Sequence, residues 1–159
     1  MSYSMSSSGG YYQSNLYSRS GYHNPTAKVG RSASSIHDTI SNFNYYNIPN
    51  SKLIIGAAFY GKVQQYTGSY WTSSGSMDYS VIKNRLNSGY YEYYYDEVAK
   101  VPYLLSVDGK EFVSYDDAKS IIDKCTYIKE NQLAGLMFWE SGCDMSGDLV
   151  HAMNIGLKQ

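Results

Sequence analysis

Two pairs of neighbouring carboxylates have the types and spacing that could do chemistry. Glu140 and Asp144 both follow Trp139 closely, and two carboxylates near one another can act as a general acid and a general base. We interpret them as solvated or loop-fixing residues rather than as a catalytic pair. Asp116 and Asp117 are adjacent and precede an apolar helical stripe, so we expect them to cap a helix rather than to bind a metal.

Other reactive side chains do not form a recognisable set. The histidines lack the spacing of metal ligands, and we expect all of them to lie on the surface: His23, His37 and His151. Cys125 and Cys143 make neither a disulfide framework nor a set of metal ligands. Gly61 and Lys62 lack the rest of a phosphate-binding loop. The sequence therefore predicts no metal ion and no cofactor.

Tyrosine is the unusual residue, with 19 copies in 159 positions. Its side chain combines an apolar face with a hydroxyl, which suits sugar rings and hydrated interfaces. We expect most of these tyrosines to be ordinary strand and surface residues and a few to line a site.

The composition is that of one ordinary globular domain, with 43% hydrophobic and 17% charged residues. The formal net charge of −1 gives no electrostatic reason to expect a nucleic acid or an anionic membrane as partner. No apolar run approaches the ~20 residues of a membrane span. The serines and glycines after Met1 do not resemble a secretory signal.

The first third of the chain predicts a loop, a helix and a buried strand. Residues 5–35 are rich in Ser, Gly, Tyr and Asn without apolar periodicity, which predicts a long loop. A helix is predicted over residues 34–47, ending before Pro49 and Asn50, with one buried face formed by Ile36, Ile40 and Phe43. The apolar run at residues 53–59 predicts a strand buried on both faces, as in a parallel sheet.

Residues 62–114 are polar and aromatic and contain repeated turn signals. Strands are predicted at residues 92–95 and 111–114, and Asp108 and Gly109 predict a hairpin turn. This stretch is therefore expected to form a small antiparallel insertion rather than another strand–helix unit.

The strand–helix pattern resumes after the insertion. A helix is predicted to open at residues 114–117 with capping-box spacing, followed by a buried strand at residues 133–139. Its apolar stripe is Ala118, Ile121, Ile122, Cys125 and Ile128. The last helix is predicted to bury Leu149, Val150, Met153 and Leu157 on one side. With residues 1–3 as the end of one more strand, the series predicts parallel strands and right-handed crossovers.

Several short motifs, in this order and spacing, resemble family 18 glycoside hydrolases of the chitinase type. Residues 53–61, ending Phe-Tyr-Gly, resemble the seventh strand of that barrel, and residues 133–140, Leu-Ala-Gly-Leu-Met-Phe-Trp-Glu, resemble the eighth. Residues 100–103 and 112–117 resemble the second half of the family's inserted subdomain. Residues 1–4 resemble the sixth-strand motif Met-x-Tyr-Asp/Asn, with Ser4 in the last position.

The resemblance implies an α/β fold that is the C-terminal part of a TIM (β/α)8 barrel, about strands 6–8 with their helices, carrying an inserted α+β subdomain. The implied division is a barrel segment at residues 1–61, the insertion at residues 62–114 and a second barrel segment at residues 115–159. Three strand–helix units cannot close an eight-stranded barrel, which typically takes ~250 residues.

The resemblance also implies a reaction. These enzymes cleave β-1,4 linkages between N-acetylglucosamine units with retention; a glutamic acid protonates the leaving oxygen, and the substrate's own acetamido oxygen attacks the anomeric carbon. The acid lies in an Asp-x-x-Asp-x-Asp-x-Glu motif that no stretch of these 159 residues reproduces. The chain alone is therefore expected to be inactive.

The resemblance implies substrate-binding roles for five residues. Trp139 would form the floor under the sugar at the cleavage site, and Tyr3 would donate its hydroxyl to the acetamido oxygen. Tyr60 would line the cleft, Met137 would pack beneath it, and Ser4 stands where the family usually has a charged or amide side chain.

The sequence leaves three functions open: the C-terminal piece of a chitinase, a non-catalytic module that binds chitin oligosaccharides, and an inactive remnant. The expected partners are chitin or N-acetylglucosamine oligosaccharides, together with the missing N-terminal barrel half or a second copy of the chain. No nucleic acid and no membrane is expected. The parent family implies an extracellular location.

Overall fold

The computed structural model describes residues 2–158, which contain four α-helices and seven strands in two sheets. The helices are α1 (Ile36–Tyr45), α2 (Tyr79–Leu86), α3 (Ala118–Glu130) and α4 (Asp148–Lys158). The strands are β1 (Ile54–Ala58), β2 (Tyr60–Tyr66), β3 (Trp71–Asp78), β4 (Tyr91–Asp96), β5 (Val101–Ser106), β6 (Glu111–Ser114) and β7 (Gly135–Trp139). Short 3-10 helices cover Asn50–Lys52 and Ser141–Cys143.

The smaller sheet is a parallel pair of β1 and β7, in register from Ile54 opposite Gly135 to Ala58 opposite Trp139. The chain between them holds the antiparallel sheet and α3, so the two strands are parallel although far apart in sequence. The predicted parallel arrangement of these two apolar segments is confirmed.

The larger sheet is antiparallel, with the strand order β3-β2-β6-β5-β4. The antiparallel strands and the hairpin turn at Asp108 and Gly109 are confirmed, since β5 and β6 pair directly across that turn. Two strands were not predicted, β2 and β3. The sheet begins at Tyr60, only two residues after the end of β1, so one continuous segment passes from the parallel sheet into the antiparallel one.

Helices α3 and α4 pack on each other, and two small residues allow this. A Cβ added at Gly156 would lie 2.7 Å from Cβ of Cys125, so the helices could not approach as closely with a larger side chain there. The capping box of α3 is formed by Asp117 and Ser120, not by Ser114 and Asp117 as the spacing predicted.

Part of the loop that precedes α1 is buried in the core instead of lying on the surface. Tyr12, Gln13, Ser14 and Asn15 are all fully buried. The side-chain amides of Gln13 and Asn15 donate hydrogen bonds, for example from Gln13 Nε2 to the Tyr60 carbonyl at 2.7 Å, whereas their side-chain oxygens are buried without a partner. This loop therefore fixes the position of the strands beside it.

Several predicted helix faces are wrong in detail. Phe43 is 44% exposed and does not belong to the buried face of α1. That face consists of Ile36 and Ile40, and the helix ends at Tyr45. Helix α4 buries Leu149 and Met153 as predicted, together with Ala152 and Gly156, which were not predicted. Val150 and Leu157 are exposed, because the contact with α3 is made through the small residues.

The predicted strands are also corrected in part. Ile54 is 55% exposed, but the other four residues of β1 are buried, so burial on both faces is confirmed for most of β1. It is wrong for β7, where every residue is at least partly exposed. Ser2 and Tyr3 do not form a strand, and Met1 lies outside the described residues. Two parallel strands, rather than three, are therefore present in residues 2–158.

Candidate functional site

The candidate site is built on one face of the parallel sheet. Side chains alternate between the faces of a strand, and residues paired in a parallel ladder point the same way. Gly56 pairs with Met137 and Ala58 pairs with Trp139, so these four residues share a face. The opposite face contributes Phe138, whose ring stacks on Phe59 with centroids 4.4 Å apart.

Tyr3 lies directly over Gly56. A Cβ added at Gly56 would lie 2.5 Å from Cδ1 of Tyr3 and 3.1 Å from the sulfur of Met137. The absence of a side chain at Gly56 thus makes room for the tyrosine ring beside the methionine. The structure brings Tyr3 and Met137 together, as the sequence motifs predict, although their positions are more than a hundred residues apart.

Tyr60 closes one side of this arrangement. Its ring is edge-on to that of Tyr3, with centroids 6.4 Å apart and an interplanar angle of 79°. Its hydroxyl hydrogen-bonds the Ser4 hydroxyl at 2.9 Å. Burial, and secondarily the neighbouring Tyr60, raises the pKa of Tyr3. A tyrosine hydroxyl, with a usual pKa of ~10, is protonated at neutral pH, and this shift moves Tyr3 further in the same direction.

Trp139 is the last residue of β7 and is 55% exposed. Its backbone is fixed, because the Phe59 N–H donates to the Trp139 carbonyl at 2.8 Å. An indole that is anchored through its backbone and open on its ring offers an apolar surface to a ligand. The exposure argues against a purely structural core tryptophan.

The two carboxylates that follow Trp139, Glu140 and Asp144, lie in different environments. Asp144 is buried and accepts hydrogen bonds from the backbone N–H groups of Gly147 and Leu149 at 3.0 and 2.8 Å, so it fixes the turn into α4. Glu140 is exposed. The interpretation of these residues as loop-fixing and solvated is confirmed, and they do not form a buried acid–base pair.

Asp116 and Asp117 are likewise structural. Asp117 accepts a hydrogen bond from the Ser120 N–H at 2.8 Å as the N-cap of α3, and burial raises the pKa of its carboxyl. Asp116 is fully buried and forms an ion pair with Lys124. The expected capping role is confirmed for Asp117, whereas the ion pair of Asp116 was not predicted.

Three polar residues beside Tyr60 were missed by the sequence reasoning. The Lys62 ammonium lies 5.2 Å from the centre of the Tyr60 ring and 3.2 Å from the Ser76 hydroxyl. Asp78 pairs with Tyr60 across β2 and β3 and accepts a hydrogen bond from the Cys143 thiol at 3.3 Å. The sequence signal that could have identified Lys62 is its spacing from Tyr60. The two residues are two positions apart on one strand, so their side chains lie on the same face.

Two further kinds of feature, a cluster of metal-ligating side chains and a membrane-spanning helix, are absent from the part of the chain that the structure describes. Within residues 2–158 no three His, Cys, Asp or Glu side chains gather as a metal site would require. No helix in this range has the length and apolar character needed to cross a membrane. His37 and His151 are exposed as expected, but His23 is half-buried and hydrogen-bonds the Tyr103 hydroxyl at 2.8 Å.

These features define an α/β protein whose candidate site lies on one face of its parallel strands, next to an antiparallel sheet. The family model of glycosyl hydrolases family 18 matches residues 1–144. The chain therefore belongs to glycosyl hydrolase family 18.

Individual relatives agree with this assignment. The chain is 38% identical over 127 residues to Chitinase A1 of Niallia circulans, an alignment that covers 70% of this chain and 18% of that protein. It is 29% identical over 140 residues to Chitinase B of Serratia marcescens, covering 67% and 28% of the two chains. Both relatives are thus several times longer than the matched region.

A solved structure gives the same result. The family 18 N-acetylglucosaminidase from Paenibacillus barengoltzii superposes with a TM-score of 0.79 at 35% identity. The match covers 99% of this chain and 47% of that one. The chain spans about half of that neighbour, and it is a partial α/β counterpart of such barrel proteins.

Proposed function

We propose that this chain contributes part of the sugar-binding cleft of a chitinase-type hydrolase and binds chitin or N-acetylglucosamine oligosaccharides. The observation that carries the proposal is the common face of β1 and β7, on which Met137 and Trp139 lie, with Tyr3 beside Met137 and Tyr60 beside Tyr3. An exposed indole and two tyrosines offer the apolar faces and hydroxyl groups that bind a sugar ring.

Each residue has a proposed role. Trp139 is the floor on which the CH face of the sugar rests, and Met137 packs beneath it. The Tyr3 hydroxyl, which like any tyrosine hydroxyl is protonated at neutral pH, donates to the acetamido oxygen. Tyr60 forms the wall, and Ser4 orients the Tyr60 hydroxyl through their hydrogen bond.

We further propose that β1 and β7 are the seventh and eighth strands of the family's barrel. Two observations support this: the strands are parallel neighbours, and the antiparallel sheet is inserted between β1 and the helix that leads to β7. In this proposal residues 1–61 and 115–159 are barrel segments and residues 62–114 are the inserted subdomain.

The catalytic acid is not among these residues, so the chain by itself is proposed to bind sugar without cleaving it. General acid catalysis contributes ~10²–10⁴-fold to such reactions. The test is release of a fluorophore from a chitobiose glycoside by the purified chain. We expect no release above a protein-free blank, and clear turnover would show that another carboxylate of this chain supplies the proton.

Binding is tested with Trp139→Ala and a matched control. Tyr45 is 79% exposed on α1, so Tyr45→Ala removes an exposed aromatic ring elsewhere on the chain. Loss of a central aromatic contact costs about 2 kcal/mol or more, which corresponds to ~30-fold in affinity. We expect this loss in calorimetric titration with N-acetylchitotriose for Trp139→Ala and none for Tyr45→Ala. Equal affinities in the three proteins would refute the proposed role of Trp139.

The proposed location of the parent protein is extracellular, where its polymeric substrate is found. The further partners proposed are the remaining part of a barrel or a second copy of this chain. Both would cover the exposed side of β1 and β7.

A further inference from the structure

A second group of aromatic and basic side chains lies at the opposite end of β2 from Tyr60. The strand runs from Tyr60 to Tyr66, and six residues of extended chain span ~20 Å, so this group is well separated from the candidate cleft. It surrounds a cavity of about 120 Å³, which is lined in part by Tyr22, Lys28, Arg31, Tyr66, Tyr70 and Trp71. We call it the distal pocket.

Arg31 is the central residue of the distal pocket. Its guanidinium carbon lies 4.1 Å from the centre of the Tyr11 ring and 4.6 Å from that of the Tyr22 ring. Its Nε is buried without a hydrogen-bond partner, and no carboxylate of residues 2–158 forms an ion pair with it. Two rings thus hold a planar cation in place, and its terminal NH2 groups, unlike the buried Nε, are left to an acceptor from outside the chain.

The aromatic residues of the distal pocket divide into a support and a contact surface. Trp71 is only 4% exposed, and its indole N–H donates to the Ala27 carbonyl at 2.9 Å, so it fixes the loop beneath the pocket. Tyr66 packs on Trp71, with ring centroids 5.3 Å apart. Tyr70 is 64% exposed and presents its ring to solvent. The fold therefore builds a rigid base and leaves one tyrosine ring available for stacking.

The lining of the distal pocket is positively charged. Its lining contains the cations Lys28 and Arg31 and no carboxylate. Hydroxyl and acetamido oxygens accept hydrogen bonds from such groups, whereas the ammonium of a deacetylated sugar unit would be repelled.

We propose that the distal pocket is a second oligosaccharide site that binds N-acetylated units in preference to units with a free amine. Tyr70 stacks on the sugar, and Arg31 and Lys28 donate to its acetamido and hydroxyl oxygens. The choice of polymer rests on the proposed function, but the site itself stands on separate residues.

The distal pocket is tested in the Trp139→Ala background, where binding in the cleft is weakened. We expect calorimetric titration to detect N-acetylchitotriose binding there, and adding Arg31→Gln to weaken it about tenfold, the value of a charged hydrogen bond. Lys129→Gln, which removes an exposed charge from α3, is the matched control and is expected to change nothing. Tyr70→Ala tests the same pocket at a side chain that is not buried, in case Arg31→Gln disturbs the fold.

The fully deacetylated trimer and a uronate trimer are the comparison ligands. We expect the deacetylated trimer to bind at least about tenfold more weakly than the N-acetylated one, because of repulsion by Arg31 and Lys28. Tighter binding of the uronate trimer would overturn the proposal by showing an anion site.

The two proposals fail in different ways. If the unsubstituted chain binds the N-acetylated trimer but Trp139→Ala abolishes all binding, or if Arg31→Gln and Tyr70→Ala bind as well as their parent, the distal pocket is refuted and the cleft stands. If Arg31→Gln weakens binding while Trp139→Ala does not, the distal pocket stands and the cleft is refuted. Failure of the unsubstituted chain to bind the trimer refutes both.

Discussion

Lys124 offers a sharp test of what holds the loop, the strands and α3 together. Its side chain is fully buried, and its ammonium donates to the Asp116 carboxylate and to the Ser14 hydroxyl, the latter at 2.8 Å. Asp116 also accepts hydrogen bonds from the hydroxyls of Ser14 and Ser120, each at 2.8 Å. Asp116 is therefore bonded on both carboxylate oxygens and is neutralised by a single cation.

Replacing Lys124 with methionine keeps much of the side-chain volume but leaves the Asp116 charge buried without a counter-ion. Removing one partner of a buried pair typically costs ~3–5 kcal/mol. With a urea dependence of roughly 1–3 kcal/mol per molar, the unfolding midpoint should fall by ~1 M or more. Urea titration followed by circular dichroism measures this. Lys129→Met, an exposed position on the same helix, is the control.

The substitution Asp116→Asn gives the corresponding pH test. Burial lowers the pKa of Lys124, and the Asp116 charge opposes that lowering, so the pKa falls further in the variant. At pH values between the folded-state pKa of Lys124 in the variant and its unfolded-state pKa of ~10.4, the unfolded state binds more protons than the folded state. The free energy of unfolding of the variant therefore rises with pH in this window. We expect Asp116→Asn to be less destabilising at pH 9 than at pH 6.

Two results would refute this reasoning. A loss of less than about 1 kcal/mol in Lys124→Met, no larger than that in Lys129→Met, would mean that Asp116 is not held as a buried charge. A pH-independent cost of Asp116→Asn would mean that Lys124 does not carry the compensating charge.

Two further predictions concern the cleft and the open sheet. Gly56→Ala should weaken N-acetylchitotriose binding roughly fivefold, the value of one hydrogen bond, because the new Cβ would lie 2.5 Å from the Tyr3 ring and displace its hydroxyl; unchanged affinity in calorimetry would contradict the placement of Tyr3. The purified chain should self-associate, since Ile54 and Trp139 are each 55% exposed and the outer edges of the two-stranded parallel sheet pair with no other strand of residues 2–158; a monomer in size-exclusion chromatography, with one sharp thermal transition, would contradict this.

The sequence predicted the elements whose apolar pattern is simple. Residues 53–59 and 133–139 are short apolar runs without alternation, and both became strands of the parallel sheet. Asp108 and Gly109 form a turn whose backbone requirement is local, so the hairpin between β5 and β6 was visible without tertiary information.

Strand β2 escaped prediction because its burial depends on distant partners. Gln64 lies in its middle and is fully buried, although a glutamine in a sequence suggests an exposed position. Its amide accepts from the Gly10 N–H at 2.9 Å and donates to the Tyr11 carbonyl at 3.0 Å. These partners come from the loop before α1, and no local pattern could show that the loop would reach β2.

Part of the buried face of α4 was misassigned for a related reason. Leu149 and Met153 were assigned correctly, but the contact with α3 continues through Ala152 and Gly156. Size, rather than hydrophobicity, sets this contact, because Gly156 lies against Cys125 with no space for a Cβ. A hydrophobicity pattern therefore favours Val150 and Leu157, which are exposed.

The motifs named the residues of the candidate site, but the way in which they lie together was visible only in the structure. The sequence motifs singled out Tyr3, Tyr60, Met137 and Trp139, and the structure brings Tyr3 together with Tyr60 and with Met137. The need for a bare backbone at Gly56 became visible only when the Tyr3 ring was seen to occupy that space.

The passage from β1 into β2 has a mechanical consequence. Phe59 is the single residue between the two strands; it is fully buried, its ring is stacked on Phe138, and its N–H is bonded to Trp139. A connection this short and this tightly held allows little movement between the two sheets. Tyr60, the first residue of the antiparallel sheet, is therefore fixed in position relative to the end of β1.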